Sequence, residues 1–427
     1  MISIQHKEEC CGCGACFQIC PKKCITMLED EEGFLYPKVN ASLCIECGLC
    51  EKVCPFINPR PAREPLNVYA AVNKDEKIRE QSSSGGVFSL LAESVINEGG
   101  VVFGARFDDE WNVEISYACD DKGVKEFRGS KYVQANTKET FKSCEEFLKA
   151  GRKVLFTGTP CQIAGLKSFL RKDYENLLTC DVICHGAPSP GVWQKYLLCV
   201  RRKFVKNVAY WRLLEKVPFC SSLNKLPIIK GIRFRDKSEG WKKFRFVLEL
   251  AEASAEGKQS TVSPSSYAID EVFHENIFMK AFLHNMILRP SCYKCKARSG
   301  SSGSDITIAD FWGIEQILPS MDDDRGTSLV VVNTSKGKYA LDDVSSMMKT
   351  VVTDFQGAIS NNPSWNESSY CHPSRSVFFR RLNKSHDIIE LIKIELTREQ
   401  RISLRHRIKQ SLKRVFLCGW IKRFFDR

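Results

Sequence analysis

Two cysteine runs close to the start of the chain restrict its fold more than any other feature. Cys10, Cys13, Cys16, Cys20 and Pro21 form the first, and Cys44, Cys47, Cys50, Cys54 and Pro55 the second. Both read C-x2-C-x2-C-x3-C-P, the ligand run of bacterial two-cluster ferredoxins. Three thiolates at this spacing wrap one corner of an iron–sulfur cube, and the fourth crosses to the partner cube. The pattern therefore assigns Cys10, Cys13, Cys16 and Cys54 to one 4Fe–4S cluster, and Cys44, Cys47, Cys50 and Cys20 to another. Structural zinc is the competing reading, but one tetrahedron filled by C-x2-C pairs explains neither the third step nor the proline. A disulfide framework belongs to small secreted domains. Cys11 and Cys24 fall outside the pattern and read as spare buried thiols.

The chain has 427 residues, enough for two or three domains with at least one large core. Met1-Ile2-Ser3-Ile4 runs into the first cysteine run without a secretory leader. With 21 cysteines, many of them expected to be thiolate ligands, a reducing cytoplasmic compartment is the expectation. Net charge is +12, and the segment from Arg398 to Arg427 carries +8 of it. The body is nearly balanced, which argues against a nucleic-acid-binding role.

Residues 1–57 are read as the two-cluster module. A stiff proline-rich linker follows at 58–66, the first part of an α/β domain at 67–150 and its second part at 151–360, and a basic helical tail closes the chain at 361–427. Val68–Val72 and Val101–Ala105 read as strands flanking a helix over Val87–Ile96. Lys153–Phe156 and Leu177–Ile183 read as strands flanking a helix over Ile163–Leu170. Ile232–Arg235 and Phe244–Leu250 alternate as a hairpin around a turn, and a small, polar loop is expected from Glu252 to Ser266. Asp305–Asp310 and Leu329–Val332 complete the strands.

Beyond the two runs, Cys161, Cys184, Cys292 and Cys295 form a dispersed set. If the strands before Cys161 and Cys184 are parallel neighbours, both thiols lie at carboxyl ends, where α/β sheets bind ligands. With the Cys292–Cys295 pair they are candidates for a third 4Fe–4S cluster. The alternatives stay open: a helix N-terminal thiol such as Cys161 can be reactive in its own right, and Cys184 can be plain core. Ser82-Ser83-Ser84-Gly85-Gly86 opens a helix and suits a phosphate, because glycines permit close backbone approach and the helix start is partly positive. Gly129-Ser130-Lys131-Tyr132 offers a cation for a pyrophosphate and a ring for stacking. Both elements are equally ordinary as turn punctuation. No Gly-x-Gly-x-x-Gly fingerprint occurs between a strand and a helix.

These motifs, with Gly158-Thr159-Pro160-Cys161-Gln162, Cys184-His185-Gly186, Asp305 to Gly313 and Gly326-Thr327-Ser328, resemble the beta-subunit family of deazaflavin-dependent hydrogenases and dehydrogenases. The likeness covers residues 1 to about 345. It implies an α+β ferredoxin-like module followed by an α/β flavin-binding domain with a mixed sheet. It implies FAD at Ser82–Gly86, Gly129–Tyr132 and Thr159, and it strengthens the third cluster. It also implies a redox partner, either a ferredoxin or a hydrogenase or dehydrogenase subunit. A flavin can take two electrons and release them singly, so the expected activity links a deazaflavin-type coenzyme or organic substrate to one-electron carriers. His185 is the candidate proton carrier beside the flavin, and a structural hydrogen-bonding role is its equal alternative. A flavin-free relay subunit is the alternative.

Leu404, Ile408, Leu412, Val415, Phe416, Trp420 and Phe424 recur at helical spacing among basic residues. This pattern suits peripheral contact with an anionic membrane face, or packing on a partner.

Overall fold

A computed structural model of the chain describes residues 1–214, 226–251 and 266–398. The expected polar loop at 252–266 and the amphipathic stretch after Arg398 lie almost wholly outside these residues.

The thirteen strands among the described residues run β1 Ile25–Glu29, β2 Leu35–Val39, β3 Asn67–Asn73, β4 Val101–Phe107, β5 Val113–Ala118, β6 Val154–Gly158, β7 Leu177–Val182, β8 Ile228–Asp236, β9 Arg245–Ala251, β10 Ser266–Val272, β11 Ile306–Asp310, β12 Ser328–Val332 and β13 Met348–Val352. Eight form one mixed sheet in the order β13-β3-β12-β11-β7-β6-β4-β5. Its centre, β4, β6, β7 and β11, is parallel, and antiparallel strands close both edges. Parallel strands covered on both faces must be apolar throughout. Val101, Val102, Phe103, Val154, Leu155 and Phe156 accordingly have no exposed surface. Fully burying a side chain of this size stabilises by about 1.5–3 kcal/mol.

Val154 of β6 pairs in parallel with Leu177 of β7, so the expected neighbours are neighbours. The first expected unit is different. β3 and β4 share the sheet but are separated by β12, β11, β7 and β6. The helix Val87–Asn97 therefore crosses the sheet rather than joining adjacent strands, because the antiparallel strands β12 and β13 claim both edges of β3. β8, β9 and β10 form a separate antiparallel sheet containing the expected hairpin.

The N-terminal module is a β1–β2 hairpin with two short helices, Ala15–Ile19 and Leu49–Lys52. Both helices start on a left-handed glycine, Gly14 at φ 75° and Gly48 at φ 71°. The module is docked on the α/β body. Arg63 donates its amide to the Ser299 carbonyl and Leu66 to that of Val332, so the proline-rich stretch lies along the body. Residues from 361 to 398 also belong to the body. Phe378, Phe379, Leu382, Ile388, Leu391 and Ile392 are buried in the core cluster that contains Trp193 and Phe34. Any free tail starts later than residue 361, because this stretch spends its apolar face on that core. Among the described residues no helix is long and apolar enough to cross a membrane.

Candidate redox site

Cys20, Cys44, Cys47 and Cys50 line one concavity, together with Cys24, Pro21, Ile25 and Leu49. Cys24 lies 3.3 Å from Cys20, sulfur to sulfur, making a fifth thiol in this hollow. The Cys44 sulfur accepts the Glu46 amide at 3.4 Å and the Cys50 sulfur that of Ile2 at 3.4 Å. Cys10 repeats the pattern with the Gly12 amide at 3.4 Å. Cys10, Cys13, Cys16 and Cys54 form the other group. Burial, and then the nearby Cys10 and Cys54, push the Cys16 thiol up to about 12. At Cys13 a hydrogen bond from Cys11 pulls the thiol down most, but burial with Cys16 and Cys54 beside it leaves it raised. Each group thus offers four sulfur donors, the set a 4Fe–4S cube requires. Among the described residues no three His, Cys, Asp or Glu side chains converge on a point fit for one metal ion.

Cys161, Cys184, Cys292 and Cys295 also come together. β6 and β7 deliver the first two at their carboxyl ends, and the short 3-10 helix Pro290–Lys294 delivers the pair. Burial raises the Cys184 thiol, and Cys292, Cys161 and Cys295 add to the rise, so all four share one neighbourhood. The Ala187 amide donates to the Cys292 sulfur at 3.3 Å. Thr159 caps the helix Pro160–Leu170 in a capping box with Gln162, and its hydroxyl lies 3.3 Å from the Cys161 sulfur.

Sequence reasoning missed two features here. Cys11, read as a spare thiol, is buried with Cys13 and Cys161 as neighbours. Arg289 reaches from beside the Cys292 pair to the Cys10 carbonyl at 2.7 Å and the Cys10 sulfur at 3.6 Å. The arginine before Pro290 was visible in the sequence, but its target 279 residues away was not. A hollow lined by Pro55, Phe56, Arg60, Cys161 and Lys296 adjoins the same contact.

The two glycine-rich elements meet. The Ser83 hydroxyl lies 2.8 Å from that of Ser130 and accepts the Ser130 amide at 2.7 Å. Gly85 donates to the Ser328 hydroxyl, and Ser84 donates its hydroxyl to the Thr327 carbonyl. A Cβ on Gly85 would lie 2.3 Å from the Ala71 carbonyl oxygen, so only glycine fits. Gly86 and Gly129 take left-handed φ of 83° and 77°. Ser82 is turned inward, its hydroxyl donating to the Ile78 carbonyl.

Lys131 and Tyr132 depart from the expectation of phosphate and ring contacts. Lys131 donates to the Glu126 and Arg128 carbonyls at the end of the helix Asp121–Phe127, and burial brings its ammonium down to about 7. Those orphan helix carbonyls compete for the cation. The Tyr132 ring is stacked on Phe282 at 4.9 Å and edge-on to Phe234. Beside Tyr132, Arg235 is ion-paired with Asp310, yet its Nε and Nη2 have no hydrogen-bond partner. Lys237 covers the Arg79, Ser84 and Arg325 carbonyls. His185 packs edge-on to Phe282 at 5.1 Å. Burial holds its pKa below the usual value against Asn285, and its Nε2 has no partner.

Residues 9–57 match the 4Fe-4S dicluster domain family. Residues 68–142 and 151–356 match the N-terminal and C-terminal halves of the coenzyme F420 hydrogenase/dehydrogenase beta subunit. The chain belongs to that beta-subunit family. One component of the F(420)H(2) dehydrogenase of Methanosarcina mazei is 28% identical over 172 residues, covering 37% of this chain and 47% of that one. An uncharacterised protein of Methanocaldococcus jannaschii is 26% identical over 204 residues, 41% of this chain and 56% of its own length. The beta-subunit-family chain thus spans about half the length of these two relatives. Over the cysteine runs, the PorD component of the pyruvate synthase of Thermotoga maritima is 39% identical over 69 residues, 16% of this chain and 66% of that one. A chain of the F420-reducing NiFe hydrogenase complex from Methanosarcina barkeri aligns with 80% of this chain and 92% of its own at 15% identity, with a TM-score of 0.42.

Proposed function

We propose that this beta-subunit-family chain is an iron–sulfur flavoprotein oxidoreductase. It would exchange two electrons with a deazaflavin-type coenzyme or organic substrate and single electrons with a ferredoxin or a hydrogenase or dehydrogenase subunit. One observation carries the reading: the helix that carries Cys161 packs at Gly165 against Cys13, and Arg289, just before Cys292, reaches the Cys10 sulfur at 3.6 Å, so the two sets of thiols lie side by side. When bound, 4Fe–4S groups supply single-electron transfer, and a flavin couples it to hydride chemistry.

The roles of the chain's own residues follow. Cys10, Cys13, Cys16 and Cys54 would hold one cluster, Cys20, Cys44, Cys47 and Cys50 a second, and Cys161, Cys184, Cys292 and Cys295 a third. Backbone amides from Glu46, Ile2, Gly12 and Ala187 steady the sulfurs. Ser82–Gly86 with Gly129 and Ser130 would bind FAD. The unpartnered, buried guanidinium nitrogens of Arg235 support an anion nearby. Gly85 lets this loop pack against the Ala71 carbonyl and Ser328, which fixes its course. His185, with Nε2 unpartnered, would supply or take a proton beside Cys184.

A second reading, a relay without flavin, draws on the engagement of Lys131 and Tyr132 within the protein itself. Anaerobic purification with iron, acid-labile sulfide and flavin analysis separates the two. About twelve irons and one FAD per chain are expected. About eight irons without flavin would leave the relay, and zinc in their place would refute both.

A further inference from the structure

We propose that Arg289 sets the reduction potential of the group held by Cys10, Cys13, Cys16 and Cys54, raising it so that an arriving electron rests there. The inference depends on the cluster reading above and adds a residue to it.

Arg289 is 1% exposed. Its Nε donates to the Cys10 carbonyl at 2.7 Å, Nη1 to Gln134 Oε1 at 3.0 Å, and Nη2 to the Leu35 carbonyl at 2.9 Å and the Cys10 sulfur at 3.6 Å. The guanidinium lies over the rings of Tyr36, 4.3 Å from its centroid, and Phe34, 5.4 Å. Every one of these oxygen acceptors is neutral, and the arginine forms no salt bridge with a carboxylate among the described residues. The ionisable groups beside it are the Cys10 thiol foremost, then the Tyr36 hydroxyl and the Cys11 and Cys292 thiols, none of them a carboxylate.

Burying a cation without a carboxylate is expensive unless another negative charge answers it. A thiolate-ligated cluster supplies that charge, and one more electron makes it more negative. The cation therefore favours the reduced state, and the low local dielectric strengthens the effect. The Nη2–H···S contact acts in the same direction, since hydrogen bonds to sulfur tune cluster potentials. The other four-cysteine group differs: its Cys44 and Cys50 sulfurs receive backbone amides, not a guanidinium.

The fold is arranged around this side chain. A Cβ on Gly12 would lie 2.8 Å from Arg289 Nη1, so Gly12 leaves the guanidinium its room. Gln134 accepts from Arg289 and donates to the Cys11 carbonyl at 2.9 Å, bracing the same loop. The Arg289 amide donates to the Ala187 carbonyl, which anchors the arginine to the segment after Cys184. Arg289 is thus a positioning residue that spans two thiol groups.

The test is a potentiometric titration with dithionite, followed by electron paramagnetic resonance, on the anaerobically purified full chain and on Arg289→Gln and Arg289→Lys. Iron is counted in each. In Arg289→Gln, one cluster signal should need about 59 mV more negative potential, a tenfold fall in its reduction equilibrium constant, with iron unchanged. Arg289→Lys keeps the charge and should shift the same signal less. Unchanged midpoints at unchanged iron would overturn the proposal, and iron loss in both variants would do so too, by making Arg289 a folding residue. If only Arg289→Gln loses iron, the equally uncharged Arg289→Met is titrated in its place, and an unmoved midpoint there is refutation. A wild-type protein without cluster signals would instead sink the underlying reading.

Discussion

Replacing Glu32 with glutamine removes one charge from a buried pair that ties the N-terminal hairpin to the C-terminal region. Glu32 and Arg375 are each 8% exposed and face each other in a fork, Nη1 to Oε1 at 3.0 Å and Nη2 to Oε2 at 2.5 Å. Arg375 also donates to the Leu288 carbonyl and to the Tyr293 hydroxyl, and it lies 4.4 Å from the Phe379 ring centroid. None of those partners is anionic, so without the carboxylate the guanidinium is a buried, unanswered charge. Breaking such a pair from one side costs about 3–5 kcal/mol. Glutamine keeps the shape and one acceptor, so a loss of about 3 kcal/mol is expected. Removing both charges, in Glu32→Gln with Arg375→Met, should cost less than the two single losses added. A coupling of about 2 kcal/mol is the expected excess. The assay is a double-mutant cycle: urea midpoints of the four proteins in anaerobic buffer, followed by far-ultraviolet circular dichroism. Additive single effects, or a coupling below about 0.5 kcal/mol, would refute the claim that charge rather than packing holds this contact.

Further outcomes can be checked in parallel. Serine at both Cys161 and Cys184 should remove about four irons per chain by chemical assay; unchanged iron would return these thiols to structural roles. Gly85→Ala forces a Cβ to 2.3 Å from the Ala71 carbonyl, so β3 or the Ser328 contact must move, with about 1–3 kcal/mol lost in urea unfolding and flavin content reduced. Burial pushes the Asp181 carboxyl up to about 6 despite hydrogen bonds from Ser302, Thr307 and Ser304. Because its folded pKa is raised, its contribution is intact below the unfolded value near pH 4 and falls as pH rises to about 6. A rise of that size corresponds to about 3 kcal/mol. Asp181→Asn should therefore flatten the stability curve between pH 4 and 6, and an unchanged slope there would refute this.

The cysteine runs were legible because ligand spacing is a local property, and the parallel pairing of β6 with β7 because two short apolar strands bracket a helix. The antiparallel edges were harder. β5 and β13 are short, and β13 shows a half-exposed pattern that periodicity does not distinguish from loop. Lys131 and Tyr132, expected at a pyrophosphate and a ring, are engaged by helix carbonyls and by Phe282, partners that only the tertiary fold reveals. The Glu32–Arg375 pair joins residues 343 positions apart, and no sequence pattern encodes such a partner. Arg289 is the same lesson at the candidate site: the residue stood in view, and only the folded chain gives it Cys10.

Phe34, at the tip of the N-terminal hairpin, is fully buried and shares a core with Phe379, far along the chain. Gly165 accepts Cys13 with no space for a methyl group, its Cβ position lying 2.8 Å from the cysteine Cβ. The cysteine-rich head is therefore mortised into its host rather than hinged to it. An engineer exchanging it for a foreign ferredoxin would have to carry over the matching sockets. The spacing between Cys13 and Cys161 is then set by this packing, and a relay between their groups would run without a domain swing.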